Sequence, residues 1–320
     1  MRKGSLEFWP HRRAKKAMPR IRHWPVSAEA SLQGFVGFKA GMTHVMQIDD
    51  SNGTSKGTEI AEPVTVIEIP KVYVYGVRFY AKEQTTRYAH VAEEVYDRAL
   101  AQNLGIKNAK NSIADAKARI ESFSDISVLA YVNPMGIGFG TKKLMRFEIA
   151  LGGNKQDKLA LAEKLIGKEV KASDIFKPGE YVDVTSISKG KGWEGPVARF
   201  GVAKQWHKAT GKIRHVGTLG PFTPPKVLYS VPMAGHLGHN YRTELNKRIM
   251  KIGSRDNTNE INVKGGFPHY GTIRNDFIIV HGSIPGAPGI VVRLRKALRP
   301  IKKISEPKIN SISLSSKIGA

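Results

Sequence analysis

Positive charge is concentrated in three separate segments of this 320-residue chain, and this arrangement limits how the chain can fold. The formal net charge is +24, yet residues 26–188 hold 20 Lys and Arg against 20 Asp and Glu. Residues 1–25 carry +7, residues 189–255 carry +11 and residues 289–320 carry +7. Like charges at this density repel one another and destabilise a compact state unless a polyanion neutralises them. The pattern therefore predicts a neutral folded body with basic segments that bind nucleic acid.

Composition argues against several other classes of protein. A hydrophobic fraction of 41% suits a folded chain. No apolar run approaches the roughly 18 residues that a membrane span needs. The opening MRKGSLEFWPHRRAKK is cationic without the apolar core of a signal peptide. With no cysteine, disulfides, thiolate zinc sites and cysteine nucleophiles are excluded. We expect a cytoplasmic protein with no membrane partner.

Runs of β-branched and aromatic residues indicate a mainly β fold with an α/β insertion at about residues 71–170. Helical patterns lie near 89–103, 112–121 and 155–167. Residues 34–50 predict either a strand pair or one long bent strand, and 49–57 a turn built on Asn52-Gly53. The remaining predicted strands are 63–69, 72–80, 126–132, 144–151, 180–188, 276–284 and 289–297.

Between residues 189 and 275 this periodicity fades, while Gly, Pro, Lys and Arg recur every few residues. Long irregular segments are uncommon in compact domains, and this one holds large aromatic residues such as Trp193, Trp206 and Phe222. We expect a partner to order it. The predicted division is an N-terminal extension (1–33), a first body segment (34–188), a basic central loop (189–275), closing strands (276–300) and a basic tail (301–320). The tails are not expected to be ordered in the free protein.

The stretch SKGKGWEG at 188–195 contains the glycine pattern of a dinucleotide-binding loop. Such a loop opens a helix and is followed about 20 residues later by an acid for the ribose. Pro196 follows the last glycine with no helical pattern, and no acid lies between Glu194 and Glu244. The sequence therefore predicts no nucleotide cofactor. Instead, Lys189 and Lys191 flank glycines that allow a phosphate backbone to approach closely.

Neither a metal site nor an enzyme active site is indicated. His236 and His239 are three residues apart without a nearby acid or a third ligand, which makes a poor zinc site. No serine or histidine lies in a recognisable catalytic pattern. We expect no cofactor, no metal and no small-molecule substrate.

Several blocks resemble one family. They are GSLEFWPHRRAKK (4–16), FKAGMTH (38–44), VTVIEIP (64–70), GEYVDVTSISKGKGWEG (179–195), VPMAGHLGHNYRTELNKRI (231–249), GGFPHYG (265–271) and GSIPG (282–286). Together they resemble the universal ribosomal protein three of the large subunit, in its archaeal and eukaryotic branch. The resemblance runs in order from about Gly4 to Arg299, and the blocks at 179–195 and 231–249 are its most specific parts.

This resemblance implies a central β-barrel of the translation-protein kind, placed on the outer face of the subunit. It also implies that the N-terminal extension and the central loop pass inward through large-subunit RNA toward the peptidyl-transferase centre, beside neighbouring ribosomal proteins. The family carries Gly-x-Trp-His-Pro at the tip of that loop, but this chain has GPFTPP, with Phe222 in the place of the tryptophan. Phenylalanine keeps a stacking face and loses the indole N–H donor.

The predicted RNA-contacting residues are cations that neutralise phosphate and rings that stack on unpaired bases. They are Lys3, Arg12, Arg13, Lys15, Lys16, Arg20, Arg22, Lys189, Lys191, Trp193, Lys204, Trp206, His207, Lys208, Lys212, Arg214, Phe222, Lys226, His236, His239, Arg242, Lys247 and Arg248. Two alternatives remain open, an RNA-modifying enzyme and a basic DNA-packaging protein. The first requires a cofactor loop or an acid–base set, and the second is usually small or rich in helix.

Overall fold

The computed structural model describes residues 4–5, 7–82, 89–106, 113–209, 211–300 and 305–317. The fold is mainly β, as the sequence predicts. Its strands are β1 (Gly34–Ile48), β2 (Glu59–Ile69), β3 (Val72–Ala81), β4 (His90–Tyr96), β5 (Asp125–Val132), β6 (Met145–Ala150), β7 (Glu169–Val170), β8 (Tyr181–Ile187), β9 (Gly192–Glu194), β10 (Gly235–Leu237), β11 (Tyr241–Gly253), β12 (Asp276–His281), β13 (Val291–Lys296) and β14 (Ile309–Ile312). The helices are α1 (Arg98–Asn103), α2 (Ile113–Ala118), α3 (Lys155–Leu165) and α4 (Pro196–Phe200), with short 3-10 turns at Ile120–Ser122, Pro134–Ile137, Ala172–Asp174 and Arg255–Glu260.

Six strands of the largest sheet form a closed ring in the order β1-β13-β8-β11-β12-β2, with β2 returning to β1. β14 adds to β1 at its far end. Successive residues of β12 enter different apolar clusters, Ile278 and Val280 on one face and Phe277 and Ile279 on the other. Both faces of this strand are buried, which explains its continuous apolar run.

β1 is one continuous strand, so the long bent strand is confirmed for this stretch. Its register against β2 shifts between Lys39 and Gly41. A Cβ atom on Gly41 would lie 2.4 Å from Cδ1 of Phe267. The glycine thus marks the point at which another segment packs against the strand backbone.

The α/β insertion contains the second sheet, in the order β4-β3-β5-β6, with β7 paired to β3. One face carries Val74, Val128 and Ile149, which join Leu159 and Ala162 of α3 in the main apolar cluster. The opposite face carries tyrosines and charged side chains.

Buried charge in the body is matched by specific partners. Asp183 accepts hydrogen bonds from Nε (3.1 Å) and Nη2 (2.9 Å) of Arg295 and from the backbone N–H of Asn246 (3.0 Å). Glu68 is fully buried and accepts from Tyr270 Oη (2.6 Å) and from the backbone N–H of Asn275 (3.0 Å). These hydrogen bonds replace the water contacts that the two carboxylates lose on burial.

Two arginines of β13 donate hydrogen bonds to the backbone of residues 18–24. Nη1 of Arg293 donates to the carbonyl of Pro19 (3.2 Å), and Nη1 of Arg295 donates to the carbonyl of His23. The Arg293 guanidinium lies 5.6 Å from the Trp24 ring centroid. Burial lowers the pKa of Arg293 to about 10.

Two expected helical features are corrected. The pattern at 89–103 is not one helix, because residues 90–96 form β4 on the edge of β3, with Val95 buried opposite Val77. The helix begins only after Asp97, whose side chain accepts from the N–H of Leu100 and caps α1. Conversely, a helix does follow Gly195: Pro196 opens the five-residue α4, since proline suits the first position of a helix.

Two stretches expected to be irregular contain strands. β11 occupies 241–253 within the predicted loop, and its Lys and Arg residues and the register shift after Ile249 hide the alternation that marks a strand. β14 lies in the predicted tail, where Ile312 pairs with Val45 and packs against the ring. Both strands exist because distant strands supply their hydrogen-bond partners.

Candidate nucleic-acid interface

The chain divides into two compact units. The basic unit consists of Met1–Ala17 and Ile187–Arg242, and the body of Met18–Ser186 and Thr243–Ala320. The basic unit holds 15 Lys and Arg against two acids, a net +13 over 73 residues. The body, with 247 residues, holds 36 against 25, a net +11. The charge density is therefore several times higher in the basic unit.

The glycine loop at 188–195 lies against residues 235–240, and backbone hydrogen bonds join these two segments of the basic unit. β9 pairs with β10, the N–H of Lys191 donates to Leu237 O (2.9 Å), and the N–H of Ser188 donates to Asn240 O (2.9 Å). Gly238 has a φ of +78°, and a Cβ atom there would lie 2.0 Å from the Lys189 carbonyl oxygen. This glycine is needed because two backbone segments approach closely.

The Arg199 side chain stabilises the same region by hydrogen bonds to backbone carbonyls. Its Nε donates to the carbonyl of His236 (3.1 Å) and its Nη1 to that of Met233 (3.0 Å). Burial lowers its pKa. A Cβ on Gly235 would lie 2.6 Å from the guanidinium carbon, so this glycine makes room for Arg199. Charge counting does not separate such an arginine from one that faces a ligand.

The N-terminal segment packs on the central segment through an aromatic cluster, which sequence reasoning missed. The ring centroid of Phe200 lies 5.8 Å from that of Trp9 and 5.6 Å from that of His11, both nearly parallel, and Tyr229 meets Trp9 edge-on. The N–H of Ala14 also donates to His239 O (2.8 Å). The only sequence signal was the aromatic content of EFWPH, which does not identify a partner.

The predicted stacking residues are highly exposed. Phe222 is 96% exposed, Trp193 78% and Trp206 70%. The ring centroids of Trp206 and His207 are 4.7 Å apart, so the two rings form one aromatic surface. Apolar side chains this open, beside cations, can stack on nucleic-acid bases.

Most predicted cations face solvent, and none of the following forms an ion pair with a carboxylate in the described part of the chain. In the basic unit they are Arg12, Arg13, Lys15, Lys16, Lys189, Lys191, Lys204, Lys208, Lys212, Arg214 and Lys226, with His239 also exposed. Arg20 and Arg22 are exposed in the body. Lys3 lies outside the described residues.

Four predicted contact residues are instead engaged within the protein. His236 Nε2 lies 3.0 Å from Gly238 O, and the Arg242 guanidinium lies 4.7 Å from the Phe8 ring centroid. Lys247 pairs with Glu244 at 2.7 Å. Arg248 binds both carboxylate oxygens of Asp50, with Nη1–Oδ1 at 2.9 Å and Nη2–Oδ2 at 2.5 Å.

The Arg248–Asp50 pair has a marked electrostatic effect. Hydrogen bonds from Arg248 hold the pKa of Asp50 at about 2, below its ordinary 3.8, and those bonds raise the pKa of Arg248. Nη2 of Arg248 also donates to the carbonyl of Ser305 (2.9 Å). Arg248 therefore links β11, the turn after β1 and the C-terminal segment.

Within the described ranges, no three His, Asp or Glu side chains converge on a position that could hold a metal ion. The described helices include none that is long and apolar enough to cross a membrane.

Comparison with known proteins agrees with the resemblance read from the sequence. The family model for "Ribosomal protein L3" matches residues 1–319. The chain is 43% identical to the large ribosomal subunit protein uL3 of Methanobrevibacter smithii over 99% of this chain and 98% of that protein. It is 40% identical to that of Methanothermobacter thermautotrophicus over 99% and 98%, and 43% identical to that of Archaeoglobus fulgidus over 94% and 92%. These relatives are named as ribosomal proteins and not as enzymes. The chain therefore belongs to the ribosomal protein L3 family.

Proposed function

We propose that this protein binds large-subunit RNA, organises it during assembly of the cytoplasmic ribosome, and supports the peptidyl-transferase centre through the basic unit. One observation carries the proposal. Among the described residues of the basic unit, only Ile187 and Phe200 are buried hydrophobic side chains, whereas eleven large apolar side chains are exposed. A segment with so little core and so much unpaired positive charge gains its missing contacts from a polyanion.

RNA suits this surface better than a small ligand or duplex DNA. Exposed rings such as Trp206 can stack on unpaired bases, while flanking lysines neutralise phosphate. Contacts of this kind recognise RNA shape and hold separate RNA segments in one arrangement. The protein would perform no chemistry, and its other partners would be neighbouring large-subunit proteins.

The ring of six strands would be the β-barrel expected of the family, lying at the outer face of the subunit. The central segment would then lead toward the catalytic centre with Phe222 at its tip. Because Phe222 lacks an indole N–H, its contact there would rest on stacking alone.

The first experiment is density-gradient sedimentation of the tagged protein from native lysate, with and without ribonuclease. Co-migration with the large subunit that collapses after ribonuclease treatment supports the proposal. A slow peak insensitive to ribonuclease contradicts it and reopens the enzyme and DNA-packaging alternatives.

The salt dependence of binding to large-subunit RNA tests the surface itself. Replacing Lys208, Lys212 and Arg214 together by Gln should reduce the slope of log affinity against log salt by about 2 to 3, because each phosphate contact contributes about 0.9. A matched control replaces Lys155, Lys164 and Lys168, three exposed body lysines, by Gln. Equal slopes for the two variants would show that binding does not depend on the basic unit.

A further inference from the structure

The insertion carries a polar aromatic face on the side of its sheet opposite α3. We call it the tyrosine face and define it by Tyr73, Tyr75, Tyr96 and Tyr131. The ring centroids of Tyr73 and Tyr131 are 5.6 Å apart, those of Tyr75 and Tyr131 6.1 Å, and those of Tyr75 and Tyr96 6.0 Å with nearly parallel planes. Four of the ten tyrosines of the chain thus form one continuous row of rings on three adjacent strands.

The acids beside this row are already paired. Arg78 lies between two carboxylates, 2.6 Å from Glu94 and 2.9 Å from Glu148. Glu148 also accepts hydrogen bonds from Tyr80 Oη (2.6 Å) and Ser127 Oγ (2.7 Å). Arg78 thus balances one of these two negative charges, and the two hydroxyl groups satisfy Glu148 further, so that the acids offer only limited attraction to a cationic partner.

The charged side chains near this face that form no ion pair are cations, and they outnumber the one negative charge that Arg78 leaves unbalanced. Arg146 lies opposite Tyr131 in the register of β5 and β6, and this residue is exposed. Lys142 and Lys143, also exposed, lie just before β6 at the same end of the sheet, separated from the strand by Leu144. No acid occurs between residues 126 and 147, and these three cations form no ion pair with the described carboxylates. This cluster lies in the stretch whose overall charge is neutral, so charge counting by segment does not reveal it.

We propose that the tyrosine face binds unpaired RNA nucleotides, whose bases stack on Tyr73 and Tyr131 while Arg146, Lys142 and Lys143 contact the adjoining phosphates. An aromatic row beside cations on an open sheet favours a single strand, because bases must be unstacked to reach the rings. A protein partner could use tyrosines equally well, but the unpaired cations and satisfied carboxylates favour a polyanion. The site belongs to the body and is independent of the basic unit.

Photo-cross-linking of the full-length protein to an oligouridylate of about ten nucleotides, within the usual site size, tests the proposal by peptide mapping. Peptides carrying Tyr73 or Tyr131 should be cross-linked. Replacing both tyrosines by Leu should lower that yield at least about tenfold, because the stacking surface is lost. Replacing both by Phe removes the same hydroxyls but keeps the rings, and should retain most of the yield.

A second pair of variants, each of which loses one positive charge, tests the proposal even if the leucine variant misfolds. Arg146→Gln should lower the cross-link yield at the tyrosine face severalfold, whereas Lys155→Gln, at an exposed position of α3 on the other side of the sheet, should not. Cross-links confined to the basic unit, or equal yields for the Leu and Phe variants, would overturn the proposal. Since peptides of the basic unit are recorded in the same digest, this failure is distinct from failure of the proposed function.

Tyrosine nitration in isolated large subunits distinguishes RNA from a protein partner. If RNA covers the face, Tyr73 and Tyr131 should be protected in intact subunits and should become reactive after ribonuclease treatment. Protection that survives ribonuclease would identify a protein partner, and unprotected tyrosines would show an empty face. Either of these two results would overturn the proposal.

Discussion

In the body, a buried charge meets an opposite charge or several hydrogen bonds, whereas in the basic unit the cations largely face solvent without a carboxylate. Asp183 and Arg295 form a buried pair at 2.9 Å. Lys208, Lys212 and Arg214 are exposed, and none forms an ion pair with a described carboxylate. A charge satisfied within the fold stabilises the free protein, while an unsatisfied one adds repulsion that only an external anion removes.

The two units differ equally in how they use apolar side chains. The body has two large clusters of buried hydrophobic residues, and the basic unit centres on the rings around Phe200. The body therefore has enough core to be stable in the free protein, whereas the basic unit is held by a few backbone hydrogen bonds and one aromatic cluster. Mutations of buried residues should consequently lower free-protein stability most in the body, and mutations of exposed cations should weaken RNA binding most in the basic unit.

The largest loss of stability is expected from Asp183→Asn, which leaves the buried Arg295 without its counter-charge. Breaking such a pair costs about 3 kcal/mol or more, and denaturant unfolding should show this decrease. Asp157→Asn, at an exposed position of α3, is the control and should stay within about 0.5 kcal/mol of wild type. Equal stability of the two variants would mean that the body does not depend on its buried ion pair.

A local effect of intermediate size is expected from Phe200→Ala, which removes the centre of the aromatic cluster. Because this ring packs on a few other rings and not inside a large core, its loss should destabilise the basic unit by about 2 kcal/mol, so amide exchange there should rise by roughly thirtyfold. Native-state hydrogen exchange should show this at the backbone N–H groups of Ala14 and Lys191, with the N–H of Val280 in the body unchanged. Uniform acceleration in both units would show that they unfold together.

A smaller, pH-dependent effect is expected at the Arg248–Asp50 pair. The pKa of Asp50 is about 2 in the folded protein against an ordinary 3.8, so its contribution is present above about pH 4 and is lost as pH falls toward about 2. Because a third of the Asp50 side chain is exposed, this contribution should be less than about 1 kcal/mol. The stability difference between wild type and Asp50→Asn should shrink on acidification, and a constant difference would exclude this titration as its source.

The smallest effect on stability is expected from Phe222→Ala, the same kind of truncation as Phe200→Ala at a ring that is 96% exposed. Thermal unfolding of the free protein should change by less than about 0.5 kcal/mol. Ribosomes carrying Phe222→Ala should instead be compared with Phe222→Trp in peptide transfer. If both variants transfer peptide as the wild type does, the aromatic ring at position 222 has no role in that reaction.

Local sequence signals predicted strands such as 276–284, where the apolar run at 277–280 is unbroken, and 289–297, where β-branched residues precede the arginines of β13. They did not predict that β1 would pair with β13 and β14, since a strand does not encode its distant neighbours. The same limit explains β4, which local periodicity assigned to a helix. That segment forms a strand because the edge of β3 offers it hydrogen-bond partners.

The candidate interface was predictable to a similar extent. Clustered charge predicted exposed cations such as Lys212, because a lysine without nearby acids has few partners within the fold. It could not separate Arg214 from Arg248, since the partner of Arg248 is Asp50, 198 positions earlier in the sequence. The cluster of Trp9, His11 and Phe200 was missed for the same reason.

The closure of the ring also determines when this chain can fold during its own synthesis. β1 is among the first strands to be made, yet β13 and β14 on its open side are completed only at Lys296 and Ile312. The insertion sheet, in contrast, pairs strands that all lie between residues 72 and 170 and can form early. From the time that Ile48 is made until Val291 is made, this edge of β1 therefore remains available to other chains. A growing copy of this protein is therefore open to mispairing along β1 throughout the synthesis of the insertion and of the basic central segment.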